Sequence, residues 1–167
     1  MAEVPSLNQL AKDFEGQPFK FYYVYVREAH PGENIPPHRS YQEKLELAQA
    51  FRETEGLELD LLVDGFEGPV HVAHGAGPNL ACIIRKDGTL VYRSQWTDVD
   101  DLRDQCAHLA RWDAWEAAGG LLRTSHVEKV RAWFEDEGTH AVRVRTYERA
   151  GQQAVKDFVA RTGRSPI

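Results

Sequence analysis

The sequence is short of cysteine, with Cys82 and Cys106 the two in 167 residues, and they do not form C-x-x-C. Two such thiols cannot build a zinc site alone and are not expected to be bridged in a reducing compartment; core packing is the ordinary role of such residues. Basic charge is also scarce. Twenty Lys and Arg stand against 26 Asp and Glu, a formal charge of −6, and no basic patch interleaves with aromatics. That balance argues against nucleic acid or an anionic membrane as partner. No apolar run approaches the roughly 20 residues that cross a bilayer. The amino end, MAEVPSLNQLAKDFEG, is polar and acidic rather than a targeting segment, so a cytoplasmic address is expected. Repeats and low-complexity segments are absent too, and 42% hydrophobic residues exclude a disordered chain.

What is present fits one sizeable α/β domain, residues 1–110, and a carboxyl-terminal extension, residues 111–167, of helices with one strand. PSLNQLAKDFEG offers Ser6 as a helix cap, with Leu7, Leu10, Ala11 and Phe14 on one face. KFYYVYVRE is apolar on both faces, as a buried parallel strand is. SYQEKLELAQAFRETEG, capped by Ser40, places Leu45, Ala48 and Phe51 at helical spacing and stops at Gly56. LELDLLVDG reads as a second strand, and GFEGPVHVAHGAGPN as a loop with a single helical turn. LACIIRKDGTLVYRSQW has the form of a hairpin turning at Lys86, Asp87 and Gly88, followed by a helix capped by Asp98 and stopped by Gly119 and Gly120. In the extension, SHVEKVRAWFEDEG predicts a short helix, THAVRVRTYE alternates as a half-buried strand does, and RAGQQAVKDFVARTG returns to helix. The order predicts an α/β sandwich with a mixed sheet.

Between the first strand and the helix capped by Ser40 lies REAHPGENIPPHRS, with three prolines, a glycine and two histidines. Ligands of open α/β sheets bind beyond the carboxyl ends of strands, which makes Glu28 and His30 candidates for chemistry. An ordinary exposed loop is the alternative.

YVYVREAHP, PHRSYQEKLELAQAF and the pair Val63-Asp64 followed by HGAGP occur in the order of the corresponding segments of the iodothyronine deiodinases and their bacterial relatives. Over residues 5–105 the chain resembles this branch of the thioredoxin fold. The resemblance implies a thioredoxin-like sandwich and places Pro78, directly before LACII, where the fold carries a cis-proline facing the site. It implies Glu28, His30 and His38 as the residues of proton chemistry and a substrate cleft taking in Pro78, His74 and Asp64. The family's selenocysteine or cysteine nucleophile, reset by a thiol cosubstrate, would fall just before Met1, so a protein without its redox nucleophile is expected. The first strand of the fold would be missing with it, and THAVRVRTYE is a candidate to fill its place.

Cys82 is a weak substitute, since a hairpin-strand interior offers neither a helix amino end nor a cation to activate a thiol. Glu28, His30 and His38 are either a proton-handling cluster or mutual hydrogen-bond partners that fix the loop. His71 and His74, with His30, His38 and Asp64, are a possible histidine-based metal centre, although their spacing matches no established ligand pattern, and no metal or cofactor is expected. The expected partner is a small-molecule or thiol ligand, or another protein. The alternative is an active oxidoreductase, of the reductive dehalogenase or peroxidase type, whose nucleophile lies upstream or on a partner. Trp96, Trp112, Trp115 and Trp133 are candidates either for packing or for a homodimer interface through the extension.

Overall fold

The computed structural model describes residues 3–130, 132 and 137–167. Helix α1 (Val4–Asp13) starts ahead of the expected cap: Pro5, pre-set for a first turn, moves the start back so that Ser6 lies inside the helix. Its buried Val4 and Leu10 bracket Leu7 and point into two different clusters. Strand β1 (Tyr22–Tyr25) pairs in parallel with β2 (Asp60–Val63), Val24 opposite Leu62. Between them, α2 (Tyr41–Glu55) begins as expected, the Glu43 amide donating to Ser40 Oγ, and ends on Gly56 in the left-handed conformation. Its buried face is Lys44, Ala48 and Phe51, so a lysine takes the place expected of Leu45.

After the short α3 (Pro69–Ala73), β3 (Ala81–Ile84) and β4 (Leu90–Ser94) form the antiparallel hairpin, with Gly88 at its turn. Helix α4 (Val99–Ala117), capped by Asp98, runs unbroken across position 110. Arg85, just past β3, binds Asp113 and Glu116 and lies over the Trp112 ring, fixing the hairpin to α4.

Parallel and antiparallel pairing both occur, as expected of a mixed α/β chain, but in two separate two-stranded sheets. Side-chain alternation explains how they sit under the helices. Tyr23, Tyr25, Leu61 and Val63 pack with α1 and α2, and Ala81, Ile83 and Tyr92 with α1 and α4. Leu7 and Phe21 touch both clusters, so α1 spans the two sheets where no strand does. The opposite side chains stay outside: Tyr22, Val24 and Leu62 are 50%, 37% and 48% exposed. The expectation of a strand buried on both faces fails for β1 because helices of the described residues cover one face only.

The extension departs further. THAVRVRTYE is not a strand and fills no gap in a sheet; it is part of α5 (Glu137–Ala150), followed by α6 (Gln152–Thr162). Its valine and arginine alternation is overridden by Tyr147 and Ala150, at helical spacing on α5, which meet Ala154 and Phe158 of α6 across Gly151 in a small apolar cluster. Residues 121–130 have no regular structure, although a helix is expected from Ser125; part of that expected helix, with Trp133, lies outside the described residues. No helix among the described residues is long and apolar enough to cross a membrane.

Candidate functional site

The loop after β1 is where α5 and α6 dock. The Tyr147 hydroxyl meets His30 Nδ1 at 3.2 Å, with the two rings 4.9 Å apart. The Asn34 amide donates to the Ala150 carbonyl, and the Glu33 carboxylate accepts from the Gln152 and Gln153 amides at the start of α6. These are orphan donors of a helix amino end, satisfied by an anion from a distant loop. Gly32 is required here, because a Cβ at that position would stand 2.2 Å from the Ala150 carbonyl oxygen. Arg145 and Arg149 add ion pairs to Glu55 at the end of α2.

Of the three residues expected to handle protons, Glu28 accepts from the His30 amide at 3.2 Å, and His30 is half-buried. Burial pushes the His30 imidazole below its ordinary pKa; Glu28 opposes that shift and Arg161 adds to it. His38 is elsewhere. Its ring stands edge-on to Phe66 at 5.5 Å, its Nδ1 is buried without a hydrogen-bond partner, and it lines a cavity of about 300 Å³ with Pro36, Pro37, Glu43, Glu46 and Leu47. No hydrogen bond of the described residues joins His38 to Glu28 or His30. The loop thus offers a tyrosine-held imidazole with a neighbouring carboxylate, and separately an imidazole facing an apolar cavity.

The loop after β2 closes on itself. Asp64 accepts from the amides of Gly65, Val70 and His71, and His71 Nε2 meets the Gly77 carbonyl at 2.8 Å. Burial pushes the Asp64 carboxyl up, but the three amides and Lys44 outweigh it, leaving the group below the usual carboxylate range. Lys44, fully buried, reaches from α2 to donate to the Gly65 carbonyl, and burial lowers its pKa against the pull of Asp64. Asp64 is therefore occupied by its own loop. Pro78 is exposed, and none of the described peptide bonds is cis, so the bond before Pro78 is trans.

His74, at the end of α3, faces Cys82: its Nδ1 lies 3.7 Å from Cys82 Sγ. Across the hairpin Cys82 pairs with Arg93, whose guanidinium packs over Gly75. A cation is thus present beside the thiol, contrary to expectation. Burial outweighs the pull of Arg93 and leaves the Cys82 thiol above its ordinary pKa. Cys106, by contrast, is a core residue among Leu10, Phe14 and Leu102, its thiol pushed up to about 11 by burial. Among the described residues, no three His, Cys, Asp or Glu side chains are grouped so as to hold a metal.

No family model and no curated protein matches the chain. Its chemistry has to be read from the residues themselves. Lys44, Tyr147, Glu33 and Arg93 escaped sequence reading. Lys44 had a signal, since it stands one helical turn before Ala48 on the buried face. Tyr147 shares a stripe with Ala150, but nothing near it in sequence points to a loop more than a hundred positions away.

Proposed function

We propose that the chain is a thioredoxin-like, deiodinase-like binding subunit that acts without a redox nucleophile of that family among its own residues, and that it takes up an extended segment of a partner. The observation that carries the reading is the divided sheet. Among the described residues β1 is hydrogen-bonded only to β2 and β3 only to β4, although both sheets lean on Leu7 and Phe21 of the same core. A strand edge without a neighbour presents unpaired amide and carbonyl groups, the usual template for strand addition. Next to the edges lies apolar surface from Tyr22, Val24, Leu62 and Ile84. A segment running parallel to β1 would end beside Glu28 and His30.

The test uses eight-residue peptides of alternating apolar residues and amide hydrogen exchange of the whole chain. Binding should slow exchange at β1 and β3 together, and N-methylation of alternate peptide amides should abolish it. Protection at neither strand under saturating peptide, or full protection of both in the free monomer, would sink the reading.

A second reading is favoured by Glu28 and His30 at that strand end. The partner segment would bring a cysteine or selenocysteine beside them, making the pair a thiol-dependent oxidoreductase of the reductive dehalogenase or peroxidase type. Glu28 and His30 would then move the proton, and a small aromatic or thiol ligand would occupy the cleft. Thiol-dependent release of iodide from an iodinated phenol, present with the partner and absent from either protein alone, distinguishes this reading.

A further inference from the structure

We propose that Cys82 is a thiol-exchange site, with His74 as its base and Arg93 as the group that recognises the carboxylate of a small, anionic disulfide. The two cysteines divide by the face they occupy. Cys106 lies in the core, whereas Cys82 alternates with Ala81 and Ile83, which face α1 and α4, and so lies on the ribbon face away from those helices, half-buried.

His74 is positioned beside it by a loop that is fixed from several sides. Asp64 holds the start of α3 through the amides of Val70 and His71, and the His71 ring holds the Gly77 carbonyl. The Ala76 amide donates to the His71 carbonyl, in a residue held at φ +53°, a left-handed conformation costly for alanine. Strain of that kind persists only where surrounding contacts over-determine the backbone, and it concentrates at sites that need pre-organisation. Gly75, at φ +96°, lets the Arg93 guanidinium lie over the backbone; a Cβ there would meet Arg93 Nη2 at 2.5 Å. The charged and titratable groups at the thiol are therefore Arg93 from β4 and His74 from the end of α3. No carboxylate of the described residues pairs with Arg93, which leaves its charge to an incoming anion.

With the imidazole proton on Nε2, the Cys82 thiol donates to His74 Nδ1. On reaction with a disulfide R–S–S–R the Cys82 proton passes to Nδ1 as the sulfur attacks. A bond forms between Cys82 Sγ and one sulfur of the disulfide while the original S–S bond breaks. The departing thiolate takes the proton from the imidazolium. The products are the mixed disulfide of Cys82 and one R–SH, so Cys82 is oxidised, half of the disulfide is reduced, and no further oxidant enters. The exchange is independent of the strand-acceptor reading.

The experiment treats the full chain with oxidised glutathione, which carries carboxylates, and with hydroxyethyl disulfide, which is neutral, and follows adducts by intact mass and peptide mapping. One adduct is expected, on Cys82 and not on Cys106; it should vanish in Cys82→Ser and persist in Cys106→Ala. His74→Gln should slow both reagents by about tenfold or more and move the rate profile to higher pH. Arg93→Gln should slow the anionic reagent far more than the neutral one. Thermal melting of each variant separates these effects from misfolding. Equal labelling of the two cysteines in the native chain, or an unchanged rate and profile in folded His74→Gln, overturns the site; equal slowing of both reagents in Arg93→Gln overturns the anionic class of ligand.

Discussion

The loop after β1 and the loop after β2 each carry two carboxylates and two histidines: Glu28, Glu33, His30 and His38 in the first, Asp64, Glu67, His71 and His74 in the second. The second is held mainly from within, Asp64 and His71 binding the amides and carbonyl of their own loop, with Lys44 of α2 added at the Gly65 carbonyl. The first depends on a remote segment, with His30 held by Tyr147 and Glu33 spent on the start of α6. Equivalent residue types therefore act as a local clasp in one loop and as a joint between distant parts of the chain in the other. A clasp should fail with the body of the fold, and a joint should open by itself.

The largest effect expected is at the joint. Gly32→Ala drives a methyl group into the Ala150 carbonyl and should cost about 2–3 kcal/mol. Hydrogen exchange should show the loss concentrated in α5 and α6, with α2 and the strands protected as before. Uniform loss across the chain would mean that the α5–α6 pair and the body are one cooperative unit.

At the clasp, Asp64→Asn removes a charge that receives three amides and should cost about 1–2 kcal/mol of global stability, read from urea unfolding. The Asp64 pKa is depressed in the folded state, so its contribution is complete above the ordinary carboxylate value and disappears as pH falls through the folded one. The variant and the parent should therefore converge in acid.

The smallest effect is Tyr147→Phe, which should cost about 0.5–1 kcal/mol at the joint by removing one hydrogen bond. Here the sign is fixed by His30, whose pKa is also depressed by burial. A lowered histidine contributes stability above its unfolded value, near 6.5, and loses it as pH falls through the folded value. The protection factors of α5 and α6, taken relative to the intrinsic exchange rate at each pH, should fall on going from pH 7.5 to 5; unchanged protection factors would remove His30 from the joint.

Much of the body was legible because its determinants are local. Ser40 and Asp98 cap their helices as their sequence context predicts, and Lys86-Asp87-Gly88 turns the hairpin. Apart from the start of α1, moved back by the adjacent Pro5, the main misreadings come from contact with something far away in the chain. Alternation in THAVRVRTYE describes a strand that has a sheet to join, and the helical stripe through Tyr147 and Ala150 wins because the loop at Gly32 to Asn34 receives it. Lys44 is buried because Gly65, across a helix and a strand, offers a carbonyl. Cys82 and His74 are separate candidates in the sequence, and their meeting with Arg93 is not legible there because the three come from different loops and strands.

The contacts of Tyr147 with His30 and of Gln153 with Glu33 span 117 and 120 residues. During synthesis, the loop after β1 leaves the ribosome long before the segment that caps it has been made. Closing so large a span is slow compared with helix or hairpin formation, so the joint forms last. The body must therefore fold around an uncovered His30, and α5 and α6 dock onto parts that are already in place.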